Sequence, residues 1–294
     1  MGAPLGFLFI VLVLAVDGWL LVWMINDSVR PQEINLVTYL VGLVALVSLP
    51  VLVVLAYQVA SCLTLRYHLD RNGVVVRWAG NEQIIPIRDI QQIVPGHELK
   101  NPPVRRRGLR WPGHERGAGM VPGIGRTHFL ATRGLAQQLL LVTPGLAFAI
   151  SPDDPEGFLQ GLTVRRELGP NRLLERELHK ARLLTWPIWR DETAWVLLGA
   201  AVAINLALFG YLSIRFPGLD FQLPLHFNNL GQADRIGTKM ELFALPIIGL
   251  IILGTNLLLG LVLYRRERAG SYLLWGSATA AQALFWLATF SIVS

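Results

Sequence analysis

The sequence is poor in charge and has almost no cysteine. Only 16% of its 294 residues are charged and 53% are hydrophobic, whereas charge falls on about a quarter of the residues in soluble domains. The single cysteine, Cys62, excludes an intramolecular disulfide. The composition therefore suits a protein that lies largely in lipid, with no covalent link to reinforce its loops.

Catalytic and metal-binding motifs are absent as well. The six histidines never fall in metal-ligand spacing with Cys, Asp or Glu. Gly117-Ala-Gly119 and Gly123-Ile-Gly125 lack the Lys-Ser/Thr of a phosphate-binding loop, so we expect loop and turn glycines. Gly-x-Ser-x-Gly and His-Glu-x-x-His do not occur. We therefore expect no enzyme activity, no metal site and no cofactor.

Long apolar blocks occupy both ends of the chain. About 20 apolar residues cross a hydrocarbon core ~30 Å thick as a helix. Blocks of this length or longer occur at 4–25, 35–62, 193–214, 242–264 and 271–293. No Lys or Arg precedes the first block, so we expect a retained helix and no cleaved signal peptide. The sequence predicts an α-helical integral membrane protein with about five transmembrane helices.

The distribution of positive charge predicts the orientation. Residues 61–190 contain 19 Lys and Arg and 11 Asp and Glu, a net of +8, so the rest of the chain sums to 7 − 9 = −2. A second basic segment, 265–268, joins the last two blocks. Because cytoplasmic segments carry excess Lys and Arg, we expect the N-terminus and residues 63–190 in the cytoplasm. The loop 215–241 and the C-terminus then lie outside a cytoplasmic membrane.

The segment 63–190 has the pattern of a small β domain followed by an amphipathic linker. Asn72-Gly73 lies between two β-branched runs, which predicts a tight hairpin turn with positive φ. Further strands are expected at 127–132, 137–143 and 146–150. Ser151 or Asp153 is expected to cap the helix that follows. Strands closed by one C-terminal helix predict a partly open barrel.

Several motifs of this segment resemble the bacterial pleckstrin-homology-like (PH-like) domains of membrane-anchored proteins. They are Tyr67-His-Leu-Asp-Arg-Asn-Gly73, Ile85-Pro-Ile-Arg-Asp-Ile90, Gly123-Ile-Gly125, Leu141-Val-Thr-Pro-Gly145 and Ala149-Ile-Ser-Pro-Asp-Asp-Pro. The resemblance covers most of 63–167 and implies the fold. These motifs are turns and caps, so they imply no chemistry.

A long loop rich in Gly and Pro follows Pro95 and carries a basic cluster. Its candidate contacts for lipid or a partner are Arg105, Arg106, Arg107, Arg110 and Arg116. Near a cytoplasmic leaflet each such charge attracts anionic headgroups by about 1 kcal/mol. Ordinary positive-inside charge without a specific ligand is the alternative. Nucleic acid is not expected, because no stacking array or recognition helix accompanies the cluster.

The predicted external loop, 215–241, resembles an uncharacterised module of bacterial membrane proteins related to toxin-immunity proteins. The resemblance rests on a Leu-Pro, His-Phe-Asn, Gly, Asp-Arg and Lys series within 216–239. A candidate partner-binding surface consists of His226, Asn228, Asp234, Arg235 and Lys239. The alternative is a self-capping loop with Lys239 at the lipid interface.

Asp17 is the one charged residue of the first block. An intramembrane carboxylate costs a few kcal/mol or more unless it is paired, protonated or hydrated. We expect structural hydrogen bonding, with Asn205 or Asn256 as partners, because no second acid or base lies at comparable depth. A transport role stays open.

Three functional hypotheses follow. The first is a non-enzymatic membrane scaffold or sensor whose PH-like domain binds a protein segment or anionic lipid at the inner leaflet. The second is an accessory subunit whose helices pack on partner helices through Gly42, Gly199, Gly210, Gly254 and Gly260. The third is an immunity-like or transport factor that acts through the external loop and Asp17.

Overall fold

A computed structural model describes most of the chain. The described residues are 2–28, 34–99, 104–107, 111, 113–181, 185–227 and 232–293; at 27, 28, 105–107 and 227 only the backbone is described. They divide into two compact units, 1–16 with 48–185 and 17–47 with 186–294. Each unit is described by itself.

The described chain contains six α-helices. They are α1 (Gly2–Ser28), α2 (Leu36–Thr64), α3 (Pro155–Leu168), α4 (Glu192–Arg215), α5 (Ala244–Leu263) and α6 (Arg268–Val293). All but α3 are long and apolar enough to cross a membrane. Five candidate spanning helices were predicted, and the structure has five within its described residues.

The first unit contains two β-sheets. Its strands are β1 (Arg66–Leu69), β2 (Gly73–Trp78), β3 (Asn81–Pro86), β4 (Gln92–Pro95), β5 (Arg105–Arg107), β6 (Glu115–Val121), β7 (Gly125–Ala131), β8 (Leu139–Thr143), β9 (Leu146–Ile150) and β10 (Leu178–His179). One sheet has the order β1-β2-β3-β10 and the other β4-β8-β9-β7-β6-β5. All the pairs are antiparallel except β7 with β9, which is parallel.

The predicted barrel is wrong, because no ladder of hydrogen bonds joins the two sheets among the described residues. Strand β3 ends at Pro86, whose nitrogen cannot donate to a ladder, and a 3₁₀ turn over Ile87–Asp89 leads the chain into the other sheet. The result is two sheets that share one core. That core includes Val74 of β2, Phe148 of β9 and Leu162 of α3.

The centre of the six-stranded sheet, at β8 and β9, is buried on both faces. Side chains alternate between the two faces of a strand: Leu139 and Leu141 enter the core shared with α3, whereas Leu140 joins Phe129 and Ala149 in a second cluster on the other face. Burial on both faces explains why β8 and β9 are continuous apolar runs in the sequence.

Two local predictions in this unit are corrected. Gly73 begins β2 without positive φ, and the Asp70 N–H donates to its carbonyl at 2.9 Å. Glycine is required there because a Cβ would lie 2.5 Å from the Ile85 carbonyl oxygen. The cap of α3 is Asp154, which accepts from the Gly157 N–H at 2.9 Å, and neither Ser151 nor Asp153 caps it.

In the second unit α4, α5 and α6 pack on one another around close contacts and buried amides. A Cβ at Gly260 of α5 would collide with the Trp275 indole of α6. Between α4 and α5 the sequence predicted a loop, but the structure has a hairpin of β11 (Gln222–Phe227) and β12 (Ala233–Thr238). Leu208 and Leu212 of α4 are buried in one cluster with Leu223 of the hairpin.

Candidate functional site

The candidate site of the first unit is the basic arm, defined here as residues 104–121, of which 108–110 and 112 lie outside the described residues. The sequence placed Arg105–Arg107 outside every strand. That prediction is wrong, because their backbone forms β5, with Arg105 opposite Met120 and Arg107 opposite Ala118 of β6. β5 is an edge of the six-stranded sheet. Arg110 lies outside the described residues.

Arg116 joins the basic arm to α2. Its Nη1 donates to the Tyr57 hydroxyl at 3.0 Å and to Ser61 Oγ at 3.4 Å. Its guanidinium carbon lies 5.1 Å from the centre of the Trp78 ring and 5.5 Å from that of Tyr57, within cation–π range. Tyr57 and Ser61 are four residues apart and so share a helix face. The side chain is half-buried and serves this junction, although the sequence grouped it with the surface arginines.

His114 adds an uncharged contact at the same place. It is buried, and its Nε2 lies 3.3 Å from Ser61 Oγ. Burial, and then the charge of Arg116, lowers the pKa of His114 to about 4. The imidazole is therefore neutral near pH 7, and Arg116 supplies the positive charge of the junction.

Trp111 joins the basic arm to α1. Its indole Nε1 donates to the Gly2 carbonyl at 3.1 Å, and its ring meets Phe9 edge to face with the centroids 6.0 Å apart. A Cβ on Gly6 would collide with Val59 of α2 and lie 3.2 Å from the Trp111 ring. These contacts fall in the first turns of α1, as those of Arg116 fall in the last turns of α2. The sequence gave no signal for either partner.

The candidate residues of the hairpin separate into two exposed pairs and one buried lysine. His226 Nδ1 lies 2.6 Å from Asp234 Oδ1, and Arg235 Nη2 donates to Glu241 Oε2 at 3.0 Å. Glu241 was missed, although Thr238-x-x-Glu241 has the spacing of a capping box, which the structure contains. Asn228 lies outside the described residues.

Lys239 is 7% exposed and belongs to the interior of its unit. Its ammonium donates to the carbonyls of Phe216 and Leu219 at 3.2 and 3.3 Å and lies 4.5 Å from the centre of the Phe216 ring. These carbonyls follow the end of α4; that of Phe216 also accepts from the Leu219 N–H at 3.3 Å, and the ammonium adds a donor to each. The alternative that placed Lys239 at the lipid interface is therefore wrong.

The amides proposed as partners of Asp17 bond elsewhere. Asn205 Nδ2 donates to Gln282 Oε1 at 2.9 Å and to the Pro246 carbonyl at 3.0 Å. Asn256 Nδ2 donates to the Ile252 carbonyl of its own helix at 2.9 Å. The Asn205 amide thus ties α4 to α5 and α6, whereas the Asn256 amide stays within α5. Asp17 itself is half-buried on α1.

The glycines proposed to face partner helices differ in their surroundings. A Cβ on Gly210 would lie 3.1 Å from the Tyr39 ring, and Gly260 already faces Trp275. Around Gly42 only the Met24 sulfur comes within 4.0 Å. Gly199 and Gly254 have nothing within 4 Å in the described structure, so these two alone leave room for a partner helix.

A carboxylate joins the ends of three helices in the second unit. Asp191 caps α4 by accepting from the Ala194 N–H at 3.0 Å, and its Oδ2 accepts from the Tyr264 and Tyr272 hydroxyls at 2.5 Å each. The bond from Tyr264, then that from Tyr272, lowers the pKa of Asp191. The two tyrosines lie 73 and 81 residues away in the chain, so the sequence gave no local signal for these bonds.

Comparison with protein families identifies two parts of this chain. Residues 65–166 match the family described as a bacterial PH domain. Both resemblances seen in the sequence are confirmed, because residues 203–250 match a domain of unknown function (DUF1648). The PH domain match contains the basic arm, and the second match contains the hairpin and Lys239. No curated protein and no solved structure matched the chain.

Metal chemistry has no support in the described residues. Within them no group of three or more His, Cys, Asp or Glu side chains could hold a metal ion. The His226–Asp234 pair lacks a third such ligand in that part of the chain. The basic arm, by contrast, presents positive charge and hydrogen-bond donors at the ends of α1 and α2.

Proposed function

We propose that this chain is a multi-pass protein of the cytoplasmic membrane and acts as a non-enzymatic scaffold or sensor. Its PH domain binds anionic lipid at the inner leaflet through the basic arm. The observation that supports this most strongly is the contact of Trp111 and Arg116 with the terminal turns of α1 and α2.

The contacts of Trp111 lie close to the start of α1. A helix rises 1.5 Å per residue, so the contacts at Gly2, Gly6 and Phe9 lie within about 11 Å of the start of α1. In a helix that spans the bilayer, such a stretch passes from the headgroup layer into the outer part of the hydrocarbon core. Trp favours that boundary because its ring is apolar and its N–H needs a partner.

The basic arm also brings a cluster of positive charge close to these helix ends. β5 is hydrogen-bonded to β6, the strand that carries Arg116 and begins beside Trp111. Arg105–Arg107 are therefore held near the same helix ends. Three arginines close to an anionic surface attract it by about 3 kcal/mol in total, on the estimate of about 1 kcal/mol each. If the arm lies at the inner leaflet, as proposed, the N-terminus and residues 63–190 lie in the cytoplasm and the C-terminus lies outside.

A protein segment is the second candidate ligand, and the position of β5 at a sheet edge favours it. An edge strand presents unpaired N–H and C=O groups that a second strand can use. Three arginines on that edge would select an acidic segment. Such a partner would make the protein a scaffold at the membrane surface.

The experiment compares the full chain in nanodiscs of zwitterionic lipid and of lipid containing an anionic headgroup, with hydrogen exchange as the readout. We expect slower exchange of the amides of 104–121 with anionic lipid, and a loss of that protection in high salt. The variant Arg105→Gln/Arg106→Gln/Arg107→Gln should remove the difference, whereas Arg166→Gln/Arg172→Gln, on the exposed side of α3 and beyond it, should keep it.

Equal exchange of the arm in both lipids would contradict the lipid assignment. If an acidic protein also co-purifies with the unaltered chain and is lost from the triple variant, the second candidate replaces the first.

A further inference from the structure

A cavity of about 480 Å³ opens in the first unit at the end of α2. Pockets for small ligands have volumes of about 300 to 1,000 Å³. Leu65, the residue after α2, lines the cavity together with Phe158 of α3. A chain leaving a spanning helix enters the headgroup layer, so Leu65, in the lining of this cavity, would lie close to that layer.

Arg66 supplies positive charge to the cavity. Its side chain is exposed and has no carboxylate partner within the described residues. Arg77, opposite Arg66 in the sheet, is paired with Glu82 at 2.6 Å. A guanidinium binds a phosphodiester through two parallel hydrogen bonds. Arg66 is therefore free to bind such a group.

Asp153 sets a second requirement on the ligand. Its side chain is fully exposed at the cavity, and Oδ1 accepts from Arg133 Nη2 at 2.9 Å. Oδ2 accepts no hydrogen bond from the described residues. Oδ2 therefore remains as an acceptor, and an ammonium on the ligand could donate to it.

The wall between the two charges is held by internal hydrogen bonds. The Tyr67 hydroxyl donates to the Leu130 carbonyl at 2.7 Å and accepts from the Ser151 N–H at 3.2 Å. Ser151 Oγ accepts from the Thr132 N–H at 3.0 Å. Leu65 and Phe158 supply apolar surface for the carbons next to a headgroup. The lining of the cavity thus contains both polar and apolar groups, and its polar wall is preformed.

We propose that this cavity binds the headgroup of a zwitterionic aminophospholipid, with the phosphodiester on Arg66 and the ammonium on Asp153. The proposal rests on the membrane setting of the proposed function but does not depend on the basic arm. The two sites also prefer opposite classes of lipid, zwitterionic here and anionic at the arm.

The test uses the full chain, purified in mild detergent and stripped of lipid, with native mass spectrometry of added lipids. Phosphatidylethanolamine, phosphatidylcholine and phosphatidylglycerol with the same acyl chains are compared with soluble glycerophosphoethanolamine. We expect one phosphatidylethanolamine to be retained most tightly. Arg66→Gln should weaken that retention by about tenfold or more, and Arg166→Gln, which removes the same charge from the last turn of α3, should leave it unchanged.

Asp153→Asn separates the two charges. It should abolish the preference for phosphatidylethanolamine over phosphatidylcholine, because only a primary ammonium can donate to that carboxylate. The lipid-free unfolding midpoints of Arg66→Gln and Asp153→Asn should match that of the unaltered chain, since both side chains are exposed.

Unchanged retention in Arg66→Gln, or equal retention of the two zwitterionic lipids by the unaltered chain, would overturn the proposal. Equally tight binding of glycerophosphoethanolamine would overturn a membrane lipid as the source. Loss of phosphatidylglycerol binding in Arg105→Gln/Arg106→Gln/Arg107→Gln reports on the arm alone, so either site can fail while the other stands.

Discussion

Two basic residues that the sequence assigned to surfaces, Arg116 in the basic arm and Lys239 beside the hairpin, both contact the interior of their own units. Lys239 is buried and satisfies carbonyls at the end of the helix just before it in the chain. Arg116 is half-buried and joins hydroxyls of a helix nearly 60 residues away. Lys239 thus stabilises the turn that follows α4, whereas Arg116 attaches the basic arm to α2, a candidate membrane helix. Replacement of Lys239 should therefore destabilise its whole unit, whereas replacement of Arg116 should affect only the basic arm.

The largest effect is expected for Lys239→Met. The replacement keeps the length of the side chain but removes the ammonium from both carbonyls. The Phe216 carbonyl keeps the Leu219 N–H, whereas the Leu219 carbonyl loses its described donor. A buried polar group left unpaired costs about 1 to 3 kcal/mol, so the thermal midpoint of the whole chain in detergent should fall. Arg235→Met, in an exposed ion pair of the same hairpin, is the control and should change it little. Equal midpoints for both variants would mean that burial of Lys239 does not stabilise this unit.

A more local effect, confined to the basic arm, is expected for Gly6→Ala. The new methyl group would collide with Val59 and press on the Trp111 ring, and overpacking of this kind costs about 1 to 3 kcal/mol. Gly18→Ala in the same helix has nothing within 4 Å of the new Cβ and should be neutral or stabilising by up to about 1 kcal/mol. Proteolysis rates of the basic arm measure the difference. Similar rates in both variants would show that α1 and α2 do not approach closely at Gly6.

Arg116→Met should release the basic arm and leave the rest of its unit folded. The change removes two hydrogen bonds and the cation–π contacts, a loss of about 1 to 3 kcal/mol. Hydrogen exchange should therefore speed up in 104–121 while the amides of β8 and β9 stay protected. Arg126→Met, which removes an exposed charge from β7, is the matched control. Faster exchange throughout both sheets would instead make Arg116 part of the core stability.

The last expected effect depends on pH. Because the pKa of His114 lies near 4 in the folded protein, below its ordinary 6.5, the unfolded arm binds a proton more readily. Stability of the arm is full above pH 6.5 and is lost as the pH falls from 6.5 toward 4. His114→Gln should flatten this dependence of arm exchange on pH. A dependence unchanged in that variant would assign it to another group.

The helices and the domain class could be predicted from the sequence, whereas most contacts between distant segments could not. Apolar length alone located the five candidate spanning helices, and turn motifs led to the PH domain resemblance. The two separate sheets could not be predicted from the sequence. After Pro86 and the 3₁₀ turn the chain enters the second sheet, where β4 pairs with β8, a strand distant in sequence. Strand β5 has three residues, too few to show alternation. The tyrosines on Asp191 and the contacts of Trp111 join residues about 70 or more positions apart, which leaves no local pattern.

The claim that the basic arm lies at the headgroup layer can be tested by measuring its depth. In a Cys62→Ser background, a spin label on Met120→Cys, an exposed position of β6, reports collisions with a nickel chelate attached to lipid headgroups in nanodiscs. A label on Val164→Cys, exposed on α3, is the comparison. Frequent collisions at Met120 and few at Val164 are predicted, whereas equal and low collision rates at both positions would contradict the proposed membrane contact of the arm.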